Sequence, residues 1–464
     1  MKYDTLIIGA GLSGLAAGVR LAHFEKKVAI CERHFREGGL NSFYHRHGVM
    51  LETGLHAMTN FAPRGANKNL PLMKLLRQLR IPYDALLLRE QNGSAVAFPG
   101  VRLHFNNNFA ELTESIATAF PAETDNFLAL DHFLLEYDAT RLANGFESGK
   151  ALIRQYLRDP LLADMFLCPL LFYGSAVEND IDLGQLALLH RSIYREGFCR
   201  PAGEGIKEIL DQLKQRFLES GGELKMNCSV REICLENGRA TGVMTATGEF
   251  FAADNILSSC GAPETNLLCS ASPEIASAVP PGQLAFLESI AVMNENYDSG
   301  TDRTVIFFSN SKQFDYRSPS DLCSDASGVI CLPRNFRFQP GEPRPEPMIR
   351  VTAPAGYEAW NALEKTDYPA AKEKCAATVF VAAEKILGCR DIVGQARFTD
   401  TITPLTLWRY TGRLNGAIYG SPTKLKDGRT AWENVYVCGT DQGFLGITGA
   451  MLSGISIANQ YLLG

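Results

Sequence analysis

The stretch Gly9-Ala10-Gly11-Leu12-Ser13-Gly14 constrains this chain more than any other, because of what stands on either side of it. Before it, Thr5-Leu6-Ile7-Ile8 is a short apolar run that reads as a buried parallel strand. After it, Leu15, Val19 and Leu21 continue a helical pattern, and a second apolar run, Val28-Ala29-Ile30-Cys31, ends in Glu32. Strand, glycine turn, helix, strand and acid together make a βαβ dinucleotide site. Gly9 makes the tight turn, Gly11 lets the backbone approach a pyrophosphate, and Gly14 lets helix and strand pack closely. The helix N-terminus, at Leu12 and Ser13, stabilises the phosphate charge, and Glu32 accepts from a ribose hydroxyl. A glycine turn alone is a weak sign. An acid at position 32, rather than an arginine, argues against a 2′-phosphate on that ribose.

At 464 residues the chain is too long for one simple core, so two lobes are expected. A net charge of −6 offers no electrostatic footprint for nucleic acid. The 12 cysteines stand singly, without C-x-x-C or His-Cys spacing, so they read as reduced thiols of a cytoplasmic enzyme with no metal site. From Gln442 to Gly464 there is no charge, which meets the length of a membrane span. Gly443, Gly446, Gly449 and Gly454, with several polar residues, make it a buried helix beside a cofactor instead.

Further motifs carry a family resemblance. Glu32-Arg33 is followed by Gly38-Gly39-Leu40 and then by Gly48-Val49-Met50-Leu51-Glu52-Thr53-Gly54-Leu55-His56. This N-terminal block resembles that of the phytoene desaturase-like FAD-dependent oxidoreductases, and its Gly-x-His form is most similar to the carotenoid isomerase and retinol saturase branch. The resemblance implies that Arg33, Gly38, Gly39 and Leu40 line the FAD pyrophosphate and ribityl chain. It also implies that Glu52, Gly54 and His56 run beneath the isoalloxazine. A central block from Arg200-Pro201-Ala202-Gly203 through Gly221-Gly222 to Val230 is similar to the family's, with Val230 holding the adenine through its backbone. There Leu224, Met226, Cys228 and Val230 alternate as one strand. The C-terminal block, Val435-Tyr436-Val437-Cys438-Gly439-Thr440-Asp441 with Gly446, Ile447 and Gly449, resembles the second flavin motif. In it the acid, Asp441, contacts the ribityl chain and the helix N-terminus faces the flavin.

The expected fold is therefore α/β. A Rossmann-type, amine-oxidase-like FAD-binding domain is assembled from residues 1–60, 200–270 and 400–464. An α+β substrate domain, a helical lid plus a sheet, comes from 61–199 and 271–399. Phe127–Tyr137 and Leu152–Phe172 are helical in pattern, whereas Val305–Phe308 and Met348–Val351 read as strands.

Few side chains outside these motifs look catalytic, which suits hydride transfer, where flavin supplies the chemistry and protein the shaped pocket. His56 is the one catalytic candidate, weighed evenly against a structural histidine; Glu52 is weighed as a structural or flavin-contacting carboxylate rather than a base. Tyr173, Trp408 and Tyr410 could line an apolar tunnel. The expected activity is desaturation, saturation or isomerisation of carbon–carbon double bonds in a hydrophobic, isoprenoid or carotenoid-like substrate. Quinone, oxygen or NAD(P)H is the electron partner. The rivals are a flavin amine oxidase, marked by an aromatic pair and a basic partner at flavin N5, and a non-catalytic prenyl carrier of the same architecture. A lipid-borne substrate adds a hypothesis of peripheral contact at the inner face of the membrane, through apolar patches in 60–175.

Overall fold

The computed structural model describes residues 2–54, 56–63, 65–139 and 145–464. One sheet gathers three distant pieces of chain. Its strands run in the order Val230–Glu236, Arg239–Thr245, Phe250–Ser258, Lys2–Ile8, Val28–Cys31 and Glu223–Lys225. Phe250–Ser258 is shared: its first residues pair antiparallel with Arg239–Thr245, and its last pair parallel with Val435–Val437. Lys2–Ile8 lies in the parallel part with both faces covered, which is why its sequence is apolar without alternation. Leu6 and Ile8 pack with Val243 and Ile256 on one side, while Ile7 packs with Leu15 and Val19 on the other.

The helix Leu12–Ala22 is almost wholly buried, lying between this sheet, the helix Ile206–Glu219 and the closing helix Gly446–Ile457. Two glycines permit that packing. A Cβ on Gly14 would stand 2.1 Å from Gly9 O, and one on Gly454 would stand 2.0 Å from Ser13 O. The charge-free C-terminal stretch is thus a partner of the first helix. Among the described residues no helix is long and apolar enough to cross a membrane.

A second sheet runs Ala396–Ile402, Ala285–Met293, Met348–Ala355, Ser327–Cys331, Val305–Ser309, Ser94–Phe98 and Val101–Phe105. The helix Tyr368–Leu387 covers one face of it. Helices Thr124–Glu136, Pro160–Gly174 and Leu183–Leu189 build the core on the other. All nine residues of Ala285–Met293 are buried, Glu288 included.

Leu152–Phe172 is helical as expected and runs through two helices, Gly149–Tyr156 and Pro160–Gly174; Asp159 caps the second by accepting from the amides of Leu161 and Leu162. Leu72, Leu75 and Leu76 of the helix Pro71–Gln78 join the core of the first sheet, while Ala396–Ile402 belongs wholly to the second. One expectation needs correction: the alternating run 224–230 is not one strand. Asn227 takes a left-handed conformation (φ 52°), and the amide of Cys228 donates to Glu32 O at 2.8 Å, turning the chain between Glu223–Lys225 and Val230–Glu236.

Candidate active site

The carboxyl ends of the parallel strands open into a cleft of about 310 Å³. Gly9, Gly11, Leu12, Ser13, Glu32 and Arg33 line it from the first βαβ unit, with Gly38, Gly39 and Leu40 beyond; Val230 and Gly439 face them from the other two segments. Gly9 turns the chain with φ 97°, while nothing lies within 4 Å of where a Cβ on Gly11 would be. The helix Leu12–Ala22 has no side-chain cap and no acid in its first turn, so its amides face the cleft uncompensated. Glu32 accepts from the amide of Ala10 at 2.8 Å and from that of His34 at 2.8 Å, one on each carboxylate oxygen, which leaves lone pairs for a ribose hydroxyl. An open cradle, a bare helix start and an anchored acid fit the dinucleotide half of FAD.

Leu40, Asn41, Thr440 and Ala450 also line a second space, a cavity of about 170 Å³ between the two sheets. Gly54, Gly446 and Ile447 face it from the cofactor side, and Gly446 opens the uncapped helix Gly446–Ile457 toward it. Phe172, Tyr173, Phe198, Phe286, Phe307 and Tyr419 supply most of the remaining wall. Both tyrosines turn their hydroxyls outward, Tyr173 to Ala57 O at 3.0 Å and Tyr419 to Phe172 O, so they present rings rather than polar groups. Among the described residues the lining contains no lysine or arginine. Its charged features are His56 and Glu288, with His56 Nε2 2.9 Å from Glu288 Oε1.

Some expected residues lie elsewhere. Glu52 does not line the cavity. Buried beneath it, its carboxylate accepts from Arg200 Nη1 at 2.7 Å and from the amide of Ile206 at 2.7 Å, satisfying the start of the helix Ile206–Glu219. Asp441 does not line the cleft or the cavity either. The turn at Gly439 (φ 94°) puts Thr440 toward the cleft and Asp441 away from it. There Asp441 accepts from the amides of Ala262 at 2.7 Å and Ser421 at 2.8 Å, with Arg413 Nη1 at 3.3 Å. Burial pushes the nearby Lys424 ammonium down to about 8. Gly14 and Gly449 are packing positions; a Cβ on Gly449 would press on the Phe444 backbone at 3.1 Å.

Other lining residues had no signal in sequence. Cys228 and Ser229 enter the cleft on the unexpected turn, and Gly412 to Leu414 close its far side. Glu288 and Thr352 reach the cavity from two interior strands that read simply as core. A side cleft of about 330 Å³ shares Leu40, Thr53, Ile402 and Leu407 with the cavity and Glu32 with the dinucleotide cleft. Phe35 and Tyr410, which line it, are 63% and 48% exposed, and nearby in sequence Trp408 is 47% exposed.

A family model described as flavin containing amine oxidoreductase matches residues 12–462. The chloroplastic prolycopene isomerase of Arabidopsis thaliana is 23% identical over 517 residues, spanning 99% of this chain and 82% of that protein. The lycopene-forming phytoene desaturase of a Paracoccus species is 23% identical over 277 residues, 54% of each. Among solved structures, an oxidoreductase from Methanosarcina mazei superposes with a TM-score of 0.66 at 17% identity, covering 99% of this chain and all (100%) of that one. A putrescine oxidase with redesigned cofactor binding gives 0.63 at 16% identity, covering 99% and 98%.

Proposed function

The chain belongs to the flavin-containing amine oxidoreductases, and from that premise we propose that it is an FAD-dependent oxidoreductase that remakes carbon–carbon double bonds in a hydrophobic, isoprenoid substrate. FAD supplies the two-electron exchange, as a hydride. The chain's own residues hold and orient. Gly11 and the bare start of Leu12–Ala22 receive the pyrophosphate, Glu32 the ribose, and the backbone around Val230 the adenine. The aromatic wall keeps water out and aligns an extended apolar chain.

One observation carries this reading. The cavity that adjoins the dinucleotide cleft through Leu40, Asn41, Thr440 and Ala450 is aromatic and, among the described residues, holds no lysine or arginine. Similarity to proteins named prolycopene isomerase and phytoene desaturase supports an isoprenoid occupant. The Tyr173–Tyr419 pair favours amine oxidation, but a basic partner is missing from the wall, and Arg350 already occupies the one carboxylate that could anchor an ammonium. The dinucleotide cleft weighs against a non-catalytic carrier.

The same reading places the protein on a membrane surface inside the cell. Phe35 and Tyr410, both packed on His34, line the side cleft together with Arg36 and Arg46, and exposed Trp408 stands two residues before Tyr410, so aromatic and basic groups flank its mouth. Twelve free thiols support a reducing compartment.

The test is anaerobic incubation of the FAD-loaded protein, with oxidised and with dithionite-reduced flavin, against phytoene, prolycopene and a panel of primary amines. Conversion of a polyene, seen by chromatography together with a change in flavin absorption or as isomerisation without one, is the expected result. Oxidation of an amine with no polyene converted would overturn the reading.

A further inference from the structure

His56 is held from behind by residues that commit one of its nitrogens and leave the other free. Nε2 lies 2.9 Å from Glu288 Oε1 and 3.1 Å from Thr352 Oγ1. Those two partners stand directly opposite each other on neighbouring strands, Glu288 paired with Thr352 in the register of Ala285–Met293 against Met348–Ala355. Nδ1 has no hydrogen bond to the described residues, and the ring is part of the cavity wall. Behind the pair, fully buried Arg350 donates through Nε to Glu288 Oε1 at 2.7 Å, its Nη2 is 2.6 Å from the same oxygen, and Nη2 also donates to Glu52 O at 2.9 Å. Burial works to raise the Glu288 carboxyl, but Arg350 and then His56 outweigh it and hold it at about 2.

A carboxylate kept ionised on one ring nitrogen sets the tautomer. Nε2 donates to Glu288, Nδ1 keeps its lone pair, and the imidazolium formed when Nδ1 takes a proton is stabilised by the same carboxylate. A wall meant only to enclose a hydrocarbon gains nothing from a buried Glu–Arg pair, whose desolvation is costly.

We propose that His56 exchanges a proton with a substrate carbon through Nδ1, and that Glu288, with Thr352, is the positioning residue that makes it able to do so. This rests on the reading of the substrate as an alkene. In dehydrogenation a C–H bond breaks, its proton passes to Nδ1 and its electron pair becomes the new π bond. FAD, when bound, would supply the two-electron acceptor for the hydrogen lost as hydride from the adjacent carbon. Saturation reverses both transfers. Moving a double bond without net redox change uses the proton alone, taken from one carbon and returned to another. The other ionisable groups behind the ring are Arg350 on Glu288, Glu52 on Arg350, Arg200 on Glu52, and Cys331, whose thiol donates to His56 O; the two cavity tyrosines share its wall. Burial pushes Cys331 up to about 12 and both tyrosines above their usual range. His56 is the one imidazole on the cavity wall.

The test is ¹⁵N NMR of histidine-labelled, FAD-loaded protein without substrate, with the His56 signals assigned by their loss in His56→Asn and the tautomer read from the Nδ1 and Nε2 shifts. Wild type should carry its ring proton on Nε2; Glu288→Gln should mix the two tautomers, Thr352→Val should disturb them less, and Glu288→Asp should restore the wild-type form in part. Product made in D₂O should carry or lose one deuterium. A wild-type ring protonated on Nδ1 alone, or a tautomer unchanged in both Glu288→Gln and Thr352→Val, overturns the proposal, as does turnover by His56→Asn at the wild-type rate. The NMR needs no substrate. If the tautomer follows Glu288 but no polyene reacts, the substrate reading falls and the coupling of His56 to Glu288 stands.

Discussion

Glu52 and Arg200, 148 residues apart in the chain, meet at 2.7 Å with both side chains out of water. The pair lies under the cavity floor, and Glu52 Oε1 also receives the amide of Ile206 at 2.7 Å. Replacing the carboxylate leaves a buried guanidinium without its counter-charge. Glu52→Gln is expected to lower stability by about 3 kcal/mol, read as a fall in melting temperature in the FAD-free protein. An unchanged melt with weaker FAD binding would return Glu52 to the flavin-contacting role that the motif suggested.

Asp441 sets up the converse experiment. It ties Ala262, Ser421 and Arg413 together behind the cleft. Asp441→Asn is expected to cost about 3 kcal/mol of stability, with FAD loss following from the unfolding. A variant that melts like the wild type yet binds FAD poorly would show direct contact with the cofactor.

Two glycines of one motif should behave differently. Gly11 has φ −69° and empty space in front of it, so Gly11→Ala should fold with stability within about 0.5 kcal/mol of wild type and still lose FAD, because the methyl group stands where the pyrophosphate belongs. Gly14→Ala puts its methyl 2.1 Å from Gly9 O and should lose both. Normal FAD affinity in Gly11→Ala would refute the assigned phosphate position.

Acid stability reports on Glu288. Its carboxyl is held at about 2, against an ordinary 4.5. In that window the unfolded chain binds a proton that the folded chain does not, so this group makes stability rise with pH. Wild type should lose about 3 kcal/mol from this source as pH falls through the window. Urea unfolding of Glu288→Gln should show a flatter acid limb. Equal slopes in the two proteins would sink the claim.

The aromatic rim can be removed without touching the cavity. Phe35→Ser and Trp408→Ser combined should abolish flotation with anionic liposomes while FAD absorption stays normal. Flotation that persists, or is absent in the wild type, would exclude this rim as the membrane contact.

Residues whose work is local were legible in the sequence. Gly9, Gly11, Gly14 and Glu32 act within one βαβ unit, where turn geometry and spacing suffice. Joining three segments in one sheet followed from matching strand-and-glycine blocks at 2–31, 223–258 and 435–457. Residues defined by partners far along the chain were not legible. Asp441 carries the acid of a flavin motif but spends it on Ala262 and Ser421, and nothing near Gly439 announces which way the turn will throw it. Glu288 sits in an apolar strand and looks like an interruption until strand pairing sets Thr352 opposite and Arg350 behind it. Leu224 to Val230 alternates correctly for a strand, yet the anchor that breaks it, Glu32 O, lies nearly two hundred residues upstream.

The strand Val435–Val437 and the helix Gly446–Ile457 complete a sheet begun at Lys2. A ribosome that has reached residue 402 has made the first glycine motif, its acid and every strand of the second sheet, but neither Gly439 nor the helix Gly446–Ile457 that packs on Leu12–Ala22. Until those elements emerge the nascent chain carries an open cofactor pocket, with Leu15 and Val19 waiting for cover. Cofactor capture is thus tied to the making of Val435–Ile457: FAD arriving after it meets a finished socket, and chains stalled before it are left as apolar-faced species for chaperones and proteases to remove.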